Sequence, residues 1–291
     1  MPLLGLLTCS KLPELMPMDK ALIPKFHELG IEAIPVIWND TNVDWKSFDY
    51  LVFRNTWDYF EYPEEFNLWL DYLQVSNILT LNSLDIIQWN IHKFYLKELQ
   101  EAGVAIIPTV FIDTATQELD LSFLEEMHWN EFVIKPAVSG GSFHTERHVS
   151  GDWRDVQNRY RRLFPNQCLL VQKFESSILS SGELSMIFLD NVFSHAVIKT
   201  AQKGEFRIQT QFGGVYNPIA ATDVQISVAE KIIKYIGKDL SYARIDGLIV
   251  DGEFLLMEVE LIEPDLYMQF AEDQHSLFVS NIAKRISRPI V

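Results

Sequence analysis

The segment Leu3-Leu4-Gly5-Leu6-Leu7 carries no polar side chain, which predicts a buried strand over residues 3–8. Met18, Leu22, Phe26 and Leu29 then recur at helical spacing, and Gly30 marks the stop. Apolar runs at 31–38, 48–53 and 78–81 predict further strands. Between the last two, Pro63 opens a helix that places Phe66, Trp69, Leu70 and Leu73 on one face. Strands alternating with helices imply an open α/β unit that closes near residue 85.

A second unit opens with a predicted helix over 87–101, closed by Gly103, and a strand at 109–112. Its centre is the apolar strand Phe132-Val133-Ile134-Lys135-Pro136, followed by a Ser/Gly loop, a helix through Trp153, Val156 and Tyr160, and a strand at 168–174. From that last strand onward, segments 186–189, 192–200 and 207–212 predict antiparallel strands. A helix over 223–240, an acidic hairpin and a final helix near 274–285 complete the chain. No internal repeat or low-complexity stretch interrupts the pattern.

Composition narrows the function. The 291 residues are 48% hydrophobic, and 24 basic against 40 acidic side chains give a net charge of -16, a field that opposes nucleic acid and anionic lipid. A bound polyanion must therefore be met by single, placed Lys and Arg residues or by a metal. Cys9 and Cys168 show neither a pairing nor a metal spacing, no run is long enough to span a membrane, and no basic leader is evident. The expectation is a cytoplasmic protein without nucleic-acid or membrane partners. Trp57, Tyr59 and Trp69 would suit a homodimer surface if they are exposed.

The sharpest chemical signal is Asp246, Glu258 and Glu260 on the acidic hairpin. A three-residue loop at Val250-Asp251-Gly252 would set all three carboxylates on one face, where unpaired acids among apolar neighbours ask for a cation. Oxygen ligands favour magnesium or manganese. Lys135 ends an apolar strand where an ammonium needs an anion, and Ser139-Gly140-Gly141-Ser142 can cradle phosphate with backbone N–H groups or form a plain surface turn. Gln172, Lys173, Phe174 and Glu175 leave the next strand toward Gly182-Glu183, as either a ligand-binding exit or an ordinary crossover. Lys199 and Arg207 sit in the following hairpin, as solvated edge charges or as site residues.

In their order, these features resemble the ATP-grasp superfamily over residues 87–265, and the preceding unit looks like the domain that commonly precedes its core. The implied fold is α/β (α+β): an open α/β domain over 1–86, then central and C-terminal subdomains over 87–170 and 171–291. The resemblance implies that Lys93, or Lys97 one turn on, and Lys135 contact the phosphates of ATP under Ser139, Gly140, Gly141 and Ser142. Gln172, Lys173 and Phe174 match the adenine hinge, Glu175 and Glu183 the ribose candidates, and Asp246, Glu258 and Glu260 the magnesium ligands. Many members have asparagine where this chain has Glu260.

Within the superfamily the chain is most similar to the glutathione-synthetase-like group and to the D-cycloserine-forming cyclo-ligase and its relatives. Arg54-Asn55-Thr56-Trp57-Asp58-Tyr59, Lys199 with Gly213-Gly214, and the run from Met257 to Pro264 carry that likeness. It implies an ADP-forming carboxylate–amine ligase in which Arg207, assisted by Lys199, stabilises an acyl phosphate. Arg54, Asp58, Tyr59, Gly213 and Gly214 are candidate substrate contacts, although 54–59 also reads as an aromatic cap on the first domain. An amino acid or short peptide is the expected substrate. A small-molecule kinase and a nucleotide-binding regulator without turnover are the alternatives.

Overall fold

The computed structural model describes residues 1–287. Its first unit is a parallel sheet of β1 (Leu3–Thr8), β2 (Glu32–Ile37), β3 (Tyr50–Asn55) and β4 (Thr80–Leu81), in the order β2-β1-β3-β4. Both faces are covered, which is why β1 and β3 read as unbroken apolar runs. Leu4, Leu6 and Val52 pack toward Phe26 and Phe278, while Leu7, Leu51 and Phe53 pack against Phe66 and Leu70. Trp69 lies within 6 Å of the Trp38, Trp45 and Phe66 rings, and Tyr59 is buried on Phe66. These aromatics belong to the first unit's core, so the argument for a dimer surface built on them fails.

The second sheet is antiparallel and contains β5 (Thr109–Ile112), β6 (Glu131–Pro136), β7 (Glu146–Val149) and β8 (Leu169–Lys173), in the order β5-β8-β6-β7. β7 has no counterpart in the sequence reading because Glu146-Arg147-His148-Val149 lacks an apolar alternation.

The third sheet contains β9 (Glu183–Leu189), β10 (Val192–Thr200), β11 (Val215–Ile219), β12 (Tyr242–Val250) and β13 (Glu253–Glu260), in the order β11-β10-β9-β12-β13. The strand expected at 207–212 is absent, and β11 pairs with β10 in its place. Glu205 accepts hydrogen bonds from the Phe206 and Arg207 amides, at 2.8 and 3.0 Å, and so bends that segment out of the ladder. The helix over Asp223–Ile236 ends four residues short of expectation, at Gly237 in the left-handed region (φ 66°).

The expected helix at 87–101 is two helices, Leu84–Ile91 and Tyr95–Glu101, broken by His92 in extended conformation. The break lets the Lys93 N–H reach Ala137 O, 2.9 Å away. Both helices pack chiefly on the third sheet: Ile86, Leu96 and Leu99 share one core with Met186, Phe188 and Ile245, which Leu170 of the second sheet joins.

The other face of the third sheet positions the site. Alternation along the strands sends Ile187, Val197 and Tyr242 to the first unit, Ser185, Lys199, Arg244 and Asp246 to the middle, and Leu248 to a separate apolar group.

Candidate active site

The β12–β13 hairpin corrects one expectation and explains why its consequence survives. Val250 pairs with Glu253, so the loop is the two residues Asp251-Gly252, both at positive φ (51° and 86°), as a tight hairpin turn requires. That even loop alone would set Asp246 opposite Met257. A bulge intervenes: Gly247 pairs with Leu256 and Asp246 with Glu258, leaving Met257 as the extra residue. The bulge restores the common face, and Asp246, Met257, Glu258 and Glu260 all line one cavity.

That cavity, of about 150 Å³, lies between the second and third sheets. One end is an apolar slot of Ile107, Ile178, Ile208 and Leu248 with Phe174 and Met257. The other end holds the charges. Lys173, Phe174 and Glu175 lie on the wall, with the Lys173 and Phe174 amides donating to Pro108 O and Glu131 O. The Glu175 amide has no backbone hydrogen bond among the described residues. Gln172 is held by Thr109 Oγ1 at 2.9 Å. Ser139 to Ser142 cover the charged end, with Gly141 and Ser142 at positive φ (54° and 65°).

The acids are not unpaired, against the expectation. Asp246 is bound on both oxygens, by Arg244 at 2.9–3.1 Å and by Ser185 Oγ at 2.5 Å, with Lys199 Nζ at 3.4 Å. Burial pushes its pKa up, but Arg244 and Lys199 outweigh this and hold it at about 2. Glu258 meets Lys93 Nζ at 2.5 Å, and Glu260 meets the Arg244 guanidinium. Glu183 is closed under Lys199. Burial drives Glu183 and Glu260 up to about 7, whereas Lys199, with Asp246 and Glu183 beside it, stays charged well above its usual range. Arg244 was missed in the sequence, although its place two residues before Asp246 on one strand puts both on one face.

One cation stands apart. Lys135 lines the cavity, is 7% exposed, and makes no side-chain hydrogen bond or ion pair among the described residues. Burial lowers its pKa to about 8, with Glu258 offsetting only part of the cost. Lys93 donates to Ser139 O at 2.7 Å as well as to Glu258, while Lys97 is exposed and outside the cavity. Arg207 forms a two-pronged pair with Glu205, at 3.1 and 2.7 Å, and stacks 3.7 Å over Phe212.

Among the described residues no three acidic, His or Cys side chains form a ready metal site. The donor chemistry nonetheless fits a hard cation in part. Glu258 and Glu260 each have one oxygen engaged and one free, whereas Asp246 would have to release Arg244.

A second, larger cavity of about 660 Å³ opens beside the first and shares Lys93, Lys199, Arg244, Glu258 and Glu260 with it. Its far wall comes from the first unit, through Lys11, Met16, Trp57, Tyr59 and Phe60. Tyr59 thus lines the larger cavity, but Arg54, Asp58, Gly213 and Gly214 line neither cavity. Arg54 is buried on Asp19 at 2.6 Å, and Asp58 accepts from Trp38 Nε1 at 2.7 Å. Gly214 serves close backbone approach, since a Cβ there would lie 1.7 Å from Ile208 O, and Gly213 takes the left-handed conformation (φ 82°) beside the Gln202 side chain.

An apolar slot leading to buried lysines under a Gly/Ser loop, held between two antiparallel sheets behind an open α/β domain, is the arrangement that the resemblance to the ATP-grasp superfamily implies. The comparisons agree and are more specific. A family model described as the N-terminal domain of D-cycloserine synthetase DcsG matches residues 4–82. The cycloserine biosynthesis protein DcsG of Streptomyces lavendulae is 28% identical over 292 residues, spanning 93% of this chain and 95% of that protein. The crystal structure of D-cycloserine synthetase DcsG aligns with a TM-score of 0.84 at 27% identity, covering 98% and 99% of the two chains. A D-alanine–D-alanine ligase of Bacillus anthracis complexed with ATP shares the fold, with a TM-score of 0.68 at 14% identity over 98% of each chain. The chain is a homologue of DcsG with the ATP-grasp fold. No helix among the described residues is long and apolar enough to cross a membrane.

Proposed function

We propose that this protein is an ATP-dependent, ADP-forming ligase that joins a carboxylate to an amine. The observation that carries the reading is Lys135, a buried ammonium without a side-chain partner among the described residues, set between an apolar slot and a paired acid–lysine cluster. An anion attached to a flat apolar group satisfies both ends at once. The relatives' names, a D-cycloserine synthetase and a D-alanine–D-alanine ligase, support an acid–amine substrate set.

In this reading the slot of Ile107, Ile178, Ile208, Leu248 and Met257 takes adenine, and the free Glu175 amide meets its edge. Glu175, whose partner Lys173 is half-exposed and can swing away, meets the ribose in preference to Glu183, which is buried under Lys199. Lys135 and Lys93 hold the phosphates, and Ser139 to Ser142 close over them. As Lys93 turns from Glu258 to a phosphate, Glu258 and Glu260 become available to magnesium, with Asp246 behind them. Magnesium would neutralise charge on the β and γ phosphates.

The substrate lies in the larger cavity. Its carboxylate oxygen takes the γ-phosphoryl group as the bond to the β-phosphate oxygen breaks, leaving ADP and an acyl phosphate. An amine then forms the bond to the acyl carbon, loses a proton and expels inorganic phosphate. Arg207, released from Glu205, stabilises the charge that develops, and Lys199 keeps Asp246 in place. The covering loop excludes water, which would destroy the acyl phosphate. An amino acid or short peptide fits the cavity and its mixed charges.

The test is a screen of amino acids and other carboxylates for magnesium-dependent turnover of ATP. Equal release of ADP and inorganic phosphate supports the ligase. Phosphate retained on the acceptor would make the protein a kinase, and ATP binding without turnover would make it a regulator.

A further inference from the structure

The segment after β13 has a feature that nucleotide binding does not use. Three successive carbonyls are pinned by three different donors: Glu263 O by Trp57 Nε1 at 2.9 Å, Pro264 O by Arg54 Nη2 at 3.1 Å, and Asp265 O by Arg244 Nη1 at 3.1 Å. Donors from both the first unit and the third sheet hold this turn rigid against the larger cavity. Trp57, Glu263 and Asp265 line that cavity.

The other charged groups on the cavity wall already have partners. Lys11 pairs with Glu61, Asp19 with Arg54, Lys93 with Glu258 and Arg244 with Glu260, while Asp265 accepts from the Tyr267 amide. Glu263 is different: among the described residues no ion pair and no hydrogen bond from another residue engages its carboxyl, whose one contact is its own backbone N–H. A rigidly held carboxylate without a cation, facing a cavity, is an incomplete ion pair.

We propose that Glu263 receives the protonated amino group of the substrate and makes the larger cavity selective for an ammonium-bearing acid. This rests on the ligase reading above. Burial, then Glu260, push the Glu263 carboxyl up to about 8, with Lys93 pulling it back only in part, a shift that an ammonium seated beside it would oppose. The placement also accounts for Arg54 and Trp57. Arg54, behind the cavity, and Trp57, on its wall, fix the backbone that carries Glu263, so they are positioning residues.

The test is calorimetric titration of the Mg-ATP-loaded protein with the proteinogenic amino acids in both enantiomers, each paired with its matching 2-hydroxy acid. The expected result is one or more amino acids bound at least about tenfold more tightly than the hydroxy acid, the scale of a charge-assisted contact. Glu263→Gln should lose that preference and Glu263→Asp should recover part of it, with ATP binding by each variant showing that it is folded. Equal binding of amino and hydroxy acids, a preference that survives in Glu263→Gln, or no amino-acid binding by the ATP-loaded protein would each overturn the inference. A wild-type protein that binds no ATP would overturn the ligase reading with it.

Discussion

Lys93 Nζ stands 2.5 Å from Glu258 Oε1, so a turn between two helices and a strand of the third sheet are joined by one ion pair inside the cavity. The proposed function requires the pair to part when ATP arrives, with the lysine passing to phosphate and the carboxylate to magnesium. Glu258→Gln should therefore bind ATP without magnesium about as well as wild type, and lose a gain in affinity on adding magnesium of about tenfold or more. Titrations with and without EDTA measure this. A variant that keeps the full gain would remove Glu258 from the metal site.

Lys135 supplies a prediction in pH. Its folded pKa, lowered from 10.5 to about 8, lies below its unfolded value, so between these limits the unfolded chain binds more protons and stability rises with pH. The cost of the buried ammonium is in full force below pH 8 and vanishes above 10.5. Lys135→Met should thus stabilise the ligand-free protein by about 3 kcal/mol near pH 7, an order-of-magnitude figure from the shift, with the gain fading toward pH 10.5. The same variant should bind ATP far more weakly. Urea unfolding at several pH values tests the first statement and ATP titration the second.

Gly140 approaches Phe60 across the boundary between the first and second units. A Cβ there would lie 2.6 Å from the ring. Gly140→Ala should displace the covering loop and raise the KM for ATP about tenfold, whereas adding Phe60→Ala should recover most of the loss. An unchanged KM in the single variant would show that the loop does not close against that ring.

Arg207 is half-exposed and paired with Glu205, so its removal should change folding stability by less than about 1 kcal/mol. If it stabilises the transferring phosphoryl group, Arg207→Met should lower kcat by about 10²-fold or more and leave ATP affinity near wild type. A fall in ATP affinity with kcat intact would make it a binding residue instead.

The fold was legible wherever local pattern and packing agree. The strands at β1, β3, β5 and β6, the Pro63 helix and the order of Lys93, Lys135, Gln172 and the acidic hairpin follow from the sequence. Charge pairing was not legible, because it joins residues far apart in the chain. The carboxylate of Glu258 meets Lys93, and Lys199 meets both Glu183 and Asp246. Arg54 misled for a related reason: nothing near it in sequence reveals Asp19 or the Pro264 carbonyl, which consume its guanidinium. The burial of Lys135 was legible because its signal is local, a charge at the end of an apolar strand.

The bulge at Met257 makes the hairpin tip and the site independent of each other. Parity is reset between Gly247 and Leu256, so the acids take their orientation from a point well inside the ladder. A one-residue insertion at Asp251-Gly252 should be absorbed at the turn, while the same insertion between Leu256 and Glu258 would send Glu258 into the helix-covered core. The length of the exposed loop is thus free to drift over generations of sequence change, and the inner strand is not.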